Sequence, residues 1–535
     1  MVYKIVAAKQ PRSGSLSNLN PIQETTDTKA QGEIGVFLQR VYRNGYPAPE
    51  FLTESLSTLS ALQENKDPVV QRGIAYCLFS LYGNRQTHAA LLTPGLQILS
   101  AIQDTPDPEA QRAIAGCLHR LSQNRANHLE LLTPGLQILS ALQERKDPVA
   151  QRAIANCLCR LSQNRANHPE LWTTGLPILS ALQETKDPVA QKWIAGCLWN
   201  LYAYSENHDE LLTTGLPILS SLQETKDPVA QKWIAGCLCR LSDDPQNHPE
   251  LLTTGLSILS ALQETKDPEA QMAIAGCLCR LSDDPQNHPE LRTTGLPILS
   301  ALQETKDPVA QKWIAGCLWN LYAYSENHDE LRTTGLPILS ALQETKDPEA
   351  QRAIAGCLCR LSDDPQNHPE LRTMGLPILS ALQETKDTEA QKWMAYCVWN
   401  LYNYPENPDE LRTKFLLILS ALKGTKDPDA QRAIDDCFFD LPQDPETHAA
   451  LLSTDLPSLS AMLENSDPAA QISIAGFVPH LPPDPETHAA LLSTDLPSLS
   501  AMLENSDPAA QISIAGFVPD LPPDPETHEG CCVLM

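Results

Sequence analysis

Residues Leu291 to Glu330 read LRTTGLPILSALQETKDPVAQKWIAGCLWNLYAYSENHDE. The same forty residues stand at Leu171 to Glu210 with one change, Trp172 in place of Arg292. The pair Leu-Ser falls at Leu59-Ser60, Leu99-Ser100, Leu139-Ser140 and on to Leu499-Ser500, always forty apart. A fixed period of this length marks a stacked array in which each unit touches its neighbours. A chain of 535 residues would otherwise suggest three or four globular domains. The repeat replaces that expectation with one elongated array.

Three helical signals occupy each unit. The first is short, Asn207 to Thr214, and Gly215 is expected to end it by taking positive φ in a tight corner. The second opens with Pro217 in its first turn and carries Leu216, Leu219 and Leu222 on one face. The third starts at Lys226-Asp227-Pro228, with Asp227 as N-cap and Pro228 at the first helical position. Its stripe of Ala230, Ile234, Cys237, Leu238 and Leu241 is the candidate core. One unit cannot bury three such faces alone, so stacking must bury them between neighbours.

Charge and motifs narrow the function. Acidic residues outnumber basic ones 66 to 39, giving a net charge of −27. That surface repels phosphates, so nucleic acid is not an expected partner. No apolar run is long enough to span a bilayer. The start, MVYKIVAAKQPRSGS, lacks the apolar core of a secretory signal, and Val2 stands where myristoylation needs glycine. No phosphate-binding loop, dinucleotide fingerprint, nucleophile elbow or zinc-protease helix occurs, so neither enzymatic activity nor a cofactor is expected.

Ten of the sixteen cysteines hold one repeat position, from Cys77 to Cys437. Cys159, Cys239, Cys279 and Cys359 sit two residues after it. Such pairs point about 200° apart on a helix and cannot chelate one metal, so they read as buried thiols of a reducing compartment. Eleven histidines fall at the repeat period, from His88 to His528. Helices of adjacent units lie about 8–10 Å apart, too far to share one zinc, so these histidines read as structural polar groups.

The short helix ending in Thr-Thr-Gly, the Leu-Pro-Ile-Leu that follows, the Asp-Pro-Val-Ala-Gln opening and the Leu-Trp-Asn-Leu at Leu198 to Leu201 resemble the armadillo repeat family. The resemblance covers nearly the whole chain. It implies an all-α armadillo-type solenoid, a superhelix of stacked three-helix repeats. The two-helix HEAT repeat is the rival, and the glycine corner favours armadillo. Glycine is missing at Ser55, Phe415, Asp455 and Asp495, so the units that depart from the pattern lie toward the ends. The expected boundaries are a tail at 1–12, a worn repeat at 13–50, the array at 51–440, an acidic proline-containing neck at 441–530 and a terminal tail at 531–535.

In armadillo proteins the third helix lines the concave groove, and its Asn side chains clamp extended peptides. By resemblance the matching residues are Asn200, Asn320 and Asn400, and Arg120, Arg160, Arg240, Arg280 and Arg360 hold the same position elsewhere. Trp193, Trp233, Trp313 and Trp393 lie seven residues earlier on the same helical face, where family members often carry Trp one turn before the Asn instead. Rings beside planar donors suit an extended, acidic protein or peptide partner. The alternative at Arg240 is simple pairing with Asp243 or Asp244 in its own helix.

The last five residues are Cys531-Cys532-Val533-Leu534-Met535. Cys532-Val-Leu-Met fits the Cys-aliphatic-aliphatic-X box, making Cys532 a candidate for farnesylation by a prenyltransferase and Cys531 a candidate for palmitoylation. The sequence therefore points to a scaffold held on the cytosolic face of a membrane by a C-terminal lipid, binding a protein in its groove. A soluble importin-like transport adaptor and a regulator of small GTPases are the alternatives.

Overall fold

The computed structural model describes residues 49–143, 147–203, 211–402, 409–422 and 424–439. The worn N-terminal repeat apart from its last two residues, the acidic neck, Cys531 and Cys532 lie outside them. The chain forms two compact units, Met1–Cys357 and Leu358–Met535. Among the described residues all regular structure is helical, and the helices stack as 40-residue repeats, the expected all-α solenoid.

Each repeat presents two long helices, termed A and B. In one repeat a tight turn at Pro245–Asn247 leads into His248–Glu250, a π turn at Leu251–Gly255 and then Leu256–Leu262; together these form helix A. Helix B follows at Pro268–Leu281. The glycine corner expected between the first two helical signals is absent. Gly215 has φ −73° and ψ −40°, and Gly255 has φ −61° and ψ −49°, both right-handed helical values. The backbone widens rather than turns, with the Leu256 N–H donating to the Leu251 carbonyl. The Thr253 hydroxyl donates back to the Glu250 carbonyl at 3.1 Å, a local bond that favours bending over breaking the helix. Where Pro94 or Pro134 replaces the second threonine, the A helices His88–Ala101 and His128–Leu142 run without a π turn.

The glycine serves a close approach instead. The Tyr202 hydroxyl donates to the Leu211 carbonyl at 2.9 Å, and a Cβ on Gly215 would lie 2.5 Å from that hydroxyl. Tyr322 and Gly335 repeat the arrangement, again with 2.5 Å to the would-be Cβ. Ser55 and Phe415, which replace this glycine, are nonetheless buried within the A helices Pro49–Leu62 and Asp409–Leu422.

B helices begin as the sequence expects. Asp187 accepts the Ala190 N–H at 2.8 Å and Pro188 opens Pro188–Tyr202. The stripe Ala230, Ile234, Cys237, Leu238 and Leu241 is fully buried, each residue at 0% exposure, and Leu219 and Leu222 are buried as well. Burying one such leucine or isoleucine contributes about 1.5–3 kcal/mol.

Polar side chains set the register between repeats of the first unit. Gln231 donates to the Thr225 carbonyl of its own repeat at 3.0 Å and accepts from the Thr265 hydroxyl of the next at 2.9 Å. Gln271 with Thr305 and Gln311 with Thr345 continue this line at 2.8 and 2.9 Å. A slip of one residue would leave these groups unpaired in the interior.

Candidate functional site: the B-helix face

The Asn and Arg positions recur near the C-terminal end of each B helix, and most reach back to the repeat before. Arg120 donates to the Phe79 carbonyl, and its guanidinium lies 3.5 Å from the centre of the Phe79 ring. Asn200 donates to the Cys159 carbonyl at 3.2 Å and the Ser162 hydroxyl at 3.0 Å. Asn320 donates to Ser282 at 3.0 Å and Asp283 at 2.7 Å. Within the second unit Asn400 does the same with Ser362 and Asp363, at 3.0 and 2.8 Å. Arg280 pairs with Asp243 at 2.5 Å, so Asp243 bridges repeats instead of pairing with Arg240. Arg160 donates from Nε to Asn156 one turn earlier, at 2.9 Å. Arg360 stands half-buried at the same position of the B helix Pro348–Ser362. The ladder thus joins repeats as well as facing outward.

Aromatic rings fill the space between these rungs. Trp193 and Trp233 lie 6.4 Å apart, centre to centre, with their planes at 35°. Trp313 has the Arg280 guanidinium 5.3 Å and the Lys312 ammonium 5.6 Å from its centre. Lys392 lies 5.8 Å from Trp393. Glycines one turn before the Asn/Arg position make the room. A Cβ on Gly196 would meet the Trp233 ring at 2.8 Å, and one on Gly236 would meet Trp199 at 2.5 Å.

Trp199 belongs to the same face. Its ring carries the Arg240 guanidinium at 4.5 Å, a cation–π pair between consecutive B helices. The tryptophan pattern seven residues before the rung did not reveal it. The signal was the dipeptide before and at the rung, which is Trp-Asn at 199–200, 319–320 and 399–400 and Cys-Arg at 159–160, 239–240, 279–280 and 359–360.

At the other end of the B helices an ion-pair ladder links neighbours. Arg72 bonds the N-cap Asp107 at 2.5 Å, Arg112 bonds Asp147 at 2.5 Å, and Arg152 pairs with Asp187. Lys232 and Lys312 reach Glu269 and Glu349, both at 2.6 Å. Burial alone would raise the Asp147 and Asp187 carboxyls, but their arginine partners and the helix N–H groups hold them below the usual range.

The histidines and thiols have structural surroundings. His248 donates from Nε2 to the Ser242 carbonyl at 3.2 Å, while its Nδ1 faces the Asn287 amide at 3.1 Å. These contacts suit an Nε2–H donor and an Nδ1 acceptor on the same ring. His119, which lies off the repeat position, is lowered to about 4 by burial and then by Arg160 and Arg120. The thirteen described cysteines are thiols outside any disulfide, and all but Cys239 are buried. Burial pushes the Cys159 thiol up to about 12, the opposite of activation. Among the described residues no group of three His, Cys, Asp or Glu side chains is placed to hold a metal ion. Nor is any described helix long and apolar enough to cross a membrane.

No protein-family model matches this chain, and no curated protein does. Among solved structures, one from work on a phosphorylation switch controlling the interaction between cadherin and beta-catenin is 16% identical. It covers 79% of this chain and 94% of its own, with a TM-score of 0.49. UNC-45 from Drosophila melanogaster is 15% identical, covering 96% of this chain and 74% of its own, with a TM-score of 0.41.

Proposed function

We propose that the chain is a non-enzymatic scaffold that holds a protein partner along its B-helix face. The supporting observation is the recurrence of planar donors every forty residues, with half-buried aromatic rings beside Arg120, Arg240 and Arg280. Guanidinium and amide groups recognise carboxylates and peptide backbone, and rings supply apolar area at low entropic cost. The partner is read as acidic from these donors and as extended from the armadillo resemblance.

The second part of the proposal is the anchor. Cys532-Val-Leu-Met provides the prenylation box and Cys531 a neighbouring thiol. With no Lys or Arg after Arg432, no basic patch there could assist membrane attachment. The scaffold reading is tested by capture from eukaryotic cytosol with the wild type and with Arg160→Glu/Arg240→Glu/Arg360→Glu. The variant should retain its melting temperature within a few degrees and lose the partner. Equal recovery of the same partner by both proteins would remove the B face from the account.

A further inference from the structure

Two cations on the B-helix face, Lys192 and Arg240, rest against aromatic rings, whereas Arg160, which also has no carboxylate partner among the described residues, is held by the Asn156 side chain at 2.9 Å. At Lys192 the ion-pair ladder is interrupted, because Val229 stands where Lys232 and Lys312 find Glu269 and Glu349. The acids that follow Arg240 just beyond its helix are engaged elsewhere, Asp243 with Arg280 and Asp244 with the Gln246 N–H at 3.0 Å. Among the described residues no carboxylate pairs with Lys192 or Arg240. Both cations lie over aromatic rings: Lys192 is 5.7 Å from the centre of Trp193 and Arg240 4.5 Å from that of Trp199. Arg240 is exposed, and Trp193, Trp199 and Trp233 are half-buried. Helices Pro188–Tyr202 and Pro228–Leu241 therefore present two cations without acid partners around a tryptophan pair, in a protein of net charge −27.

We infer that this window is the primary docking point of the B face, and that its ligand is an acidic peptide segment whose carboxylates flank an aromatic side chain. This rests on the scaffold reading and narrows it to one site. The carboxylates supply the charge that Lys192 and Arg240 lack. A stacked guanidinium keeps its N–H edge available while its face is covered, so it is already oriented for a bidentate carboxylate. The ligand's ring packs against Trp193 and Trp233. Arg120, Asn200, Asn320 and Arg280 already bond the preceding repeat and contribute less.

The probe is a fluorescein-labelled dodecapeptide of alternating Glu and Phe, with alternating Gln and Phe and a twelve-residue oligothymidine as comparisons. Binding is followed by anisotropy at low salt on the full chain. The Glu/Phe peptide should bind at least tenfold tighter than either comparison. Lys192→Gln/Arg240→Gln should remove at least tenfold of that affinity, whereas Arg292→Gln, on an A helix, should change it less than twofold. Circular dichroism establishes that each variant is folded. Wild-type affinity in Lys192→Gln/Arg240→Gln, or a preference for the oligonucleotide, would overturn the inference. If that variant binds normally while Arg160→Glu/Arg360→Glu does not, the window is misplaced and the scaffold reading stands. If neither substitution set weakens binding, both readings fall.

Discussion

The guanidinium of Arg240 lies 4.5 Å from the ring centre of Trp199 on the preceding B helix, and that ring in turn occupies space left open by Gly236. Three residues from two repeats thus form one contact. The ring has a structural role and the cation an outward-facing one. Trp199→Ala should lower stability by about 3–4 kcal/mol, because it empties a packed site. Arg240→Ala should lower it by less than about 1 kcal/mol. Thermal melting of the two variants separates the roles; equal losses would show that Arg240 is chiefly structural.

The glycine before helix segment Leu216–Ser221 gives a second test. Gly215→Ala should destabilise by roughly 1–3 kcal/mol by pushing against the Tyr202 hydroxyl. In a Tyr202→Phe background most of that added loss should disappear, giving a coupling energy of about 1 kcal/mol or more. A loss independent of residue 202 would point back to backbone conformation as the reason for glycine.

The helical periods, the Asp-Pro start of helix B and its apolar stripe were legible in the sequence, because each is local or periodic, but the first two of the three helical signals belong to one helix A. The glycine was misread. Its neighbour Tyr202 lies thirteen residues earlier, and a helical glycine packed on a hydroxyl looks, in one dimension, like a corner. The ladder positions could be found by period, but their partners could not. Asn320 could be seen as a donor, yet nothing local told that Asp283 of the repeat before would accept from it. Arg240 and Asp243 looked like a helix-internal pair, and stacking gave Asp243 to Arg280. Cys531 and Cys532 lie outside the described residues.

Acid should weaken the array through His119. Its folded-state value of about 4 lies below the ordinary histidine value, so between roughly pH 6.5 and 4 the unfolded chain binds more protons than the folded one. Stability therefore falls as pH drops through that window. The depressed Asp147 and Asp187 carboxyls act in the same direction at lower pH, through loss of their arginine pairs. His119→Cys, the residue found at Cys159, should flatten the pH 6.5–4 part of the denaturation profile by on the order of 2 kcal/mol. An unchanged slope in the variant would mean that His119 titrates normally.

Core and surface of the repeat should respond very differently. Ile194 is fully buried, and Ile194→Asp should cost several kcal/mol by placing a carboxylate on the apolar stripe. Trp172 is half-buried with its ring 5.9 Å from His168, so Trp172→Arg, the residue at Arg292, should cost about 1 kcal/mol or less. Comparable melting losses would contradict this assignment of faces.

The proposed anchor predicts two distinct phenotypes in a eukaryotic cell. Cys532→Ser should make the protein wholly soluble on fractionation. Cys531→Ser should leave weak, exchanging attachment on internal membranes, because a single lipid chain binds only marginally. An unchanged membrane fraction in Cys532→Ser would refute the anchor and bring the soluble-adaptor reading forward.

The account depends most on which face meets the partner. Hydroxyl-radical footprinting of the free chain and of its complex with captured partner reads this directly. Protection should fall on Trp193, Trp199 and Trp233 of the B helices and leave Leu129 and Trp172 of the A helices unchanged. Protection confined to Leu129, Trp172 and their A-helix neighbours would contradict it.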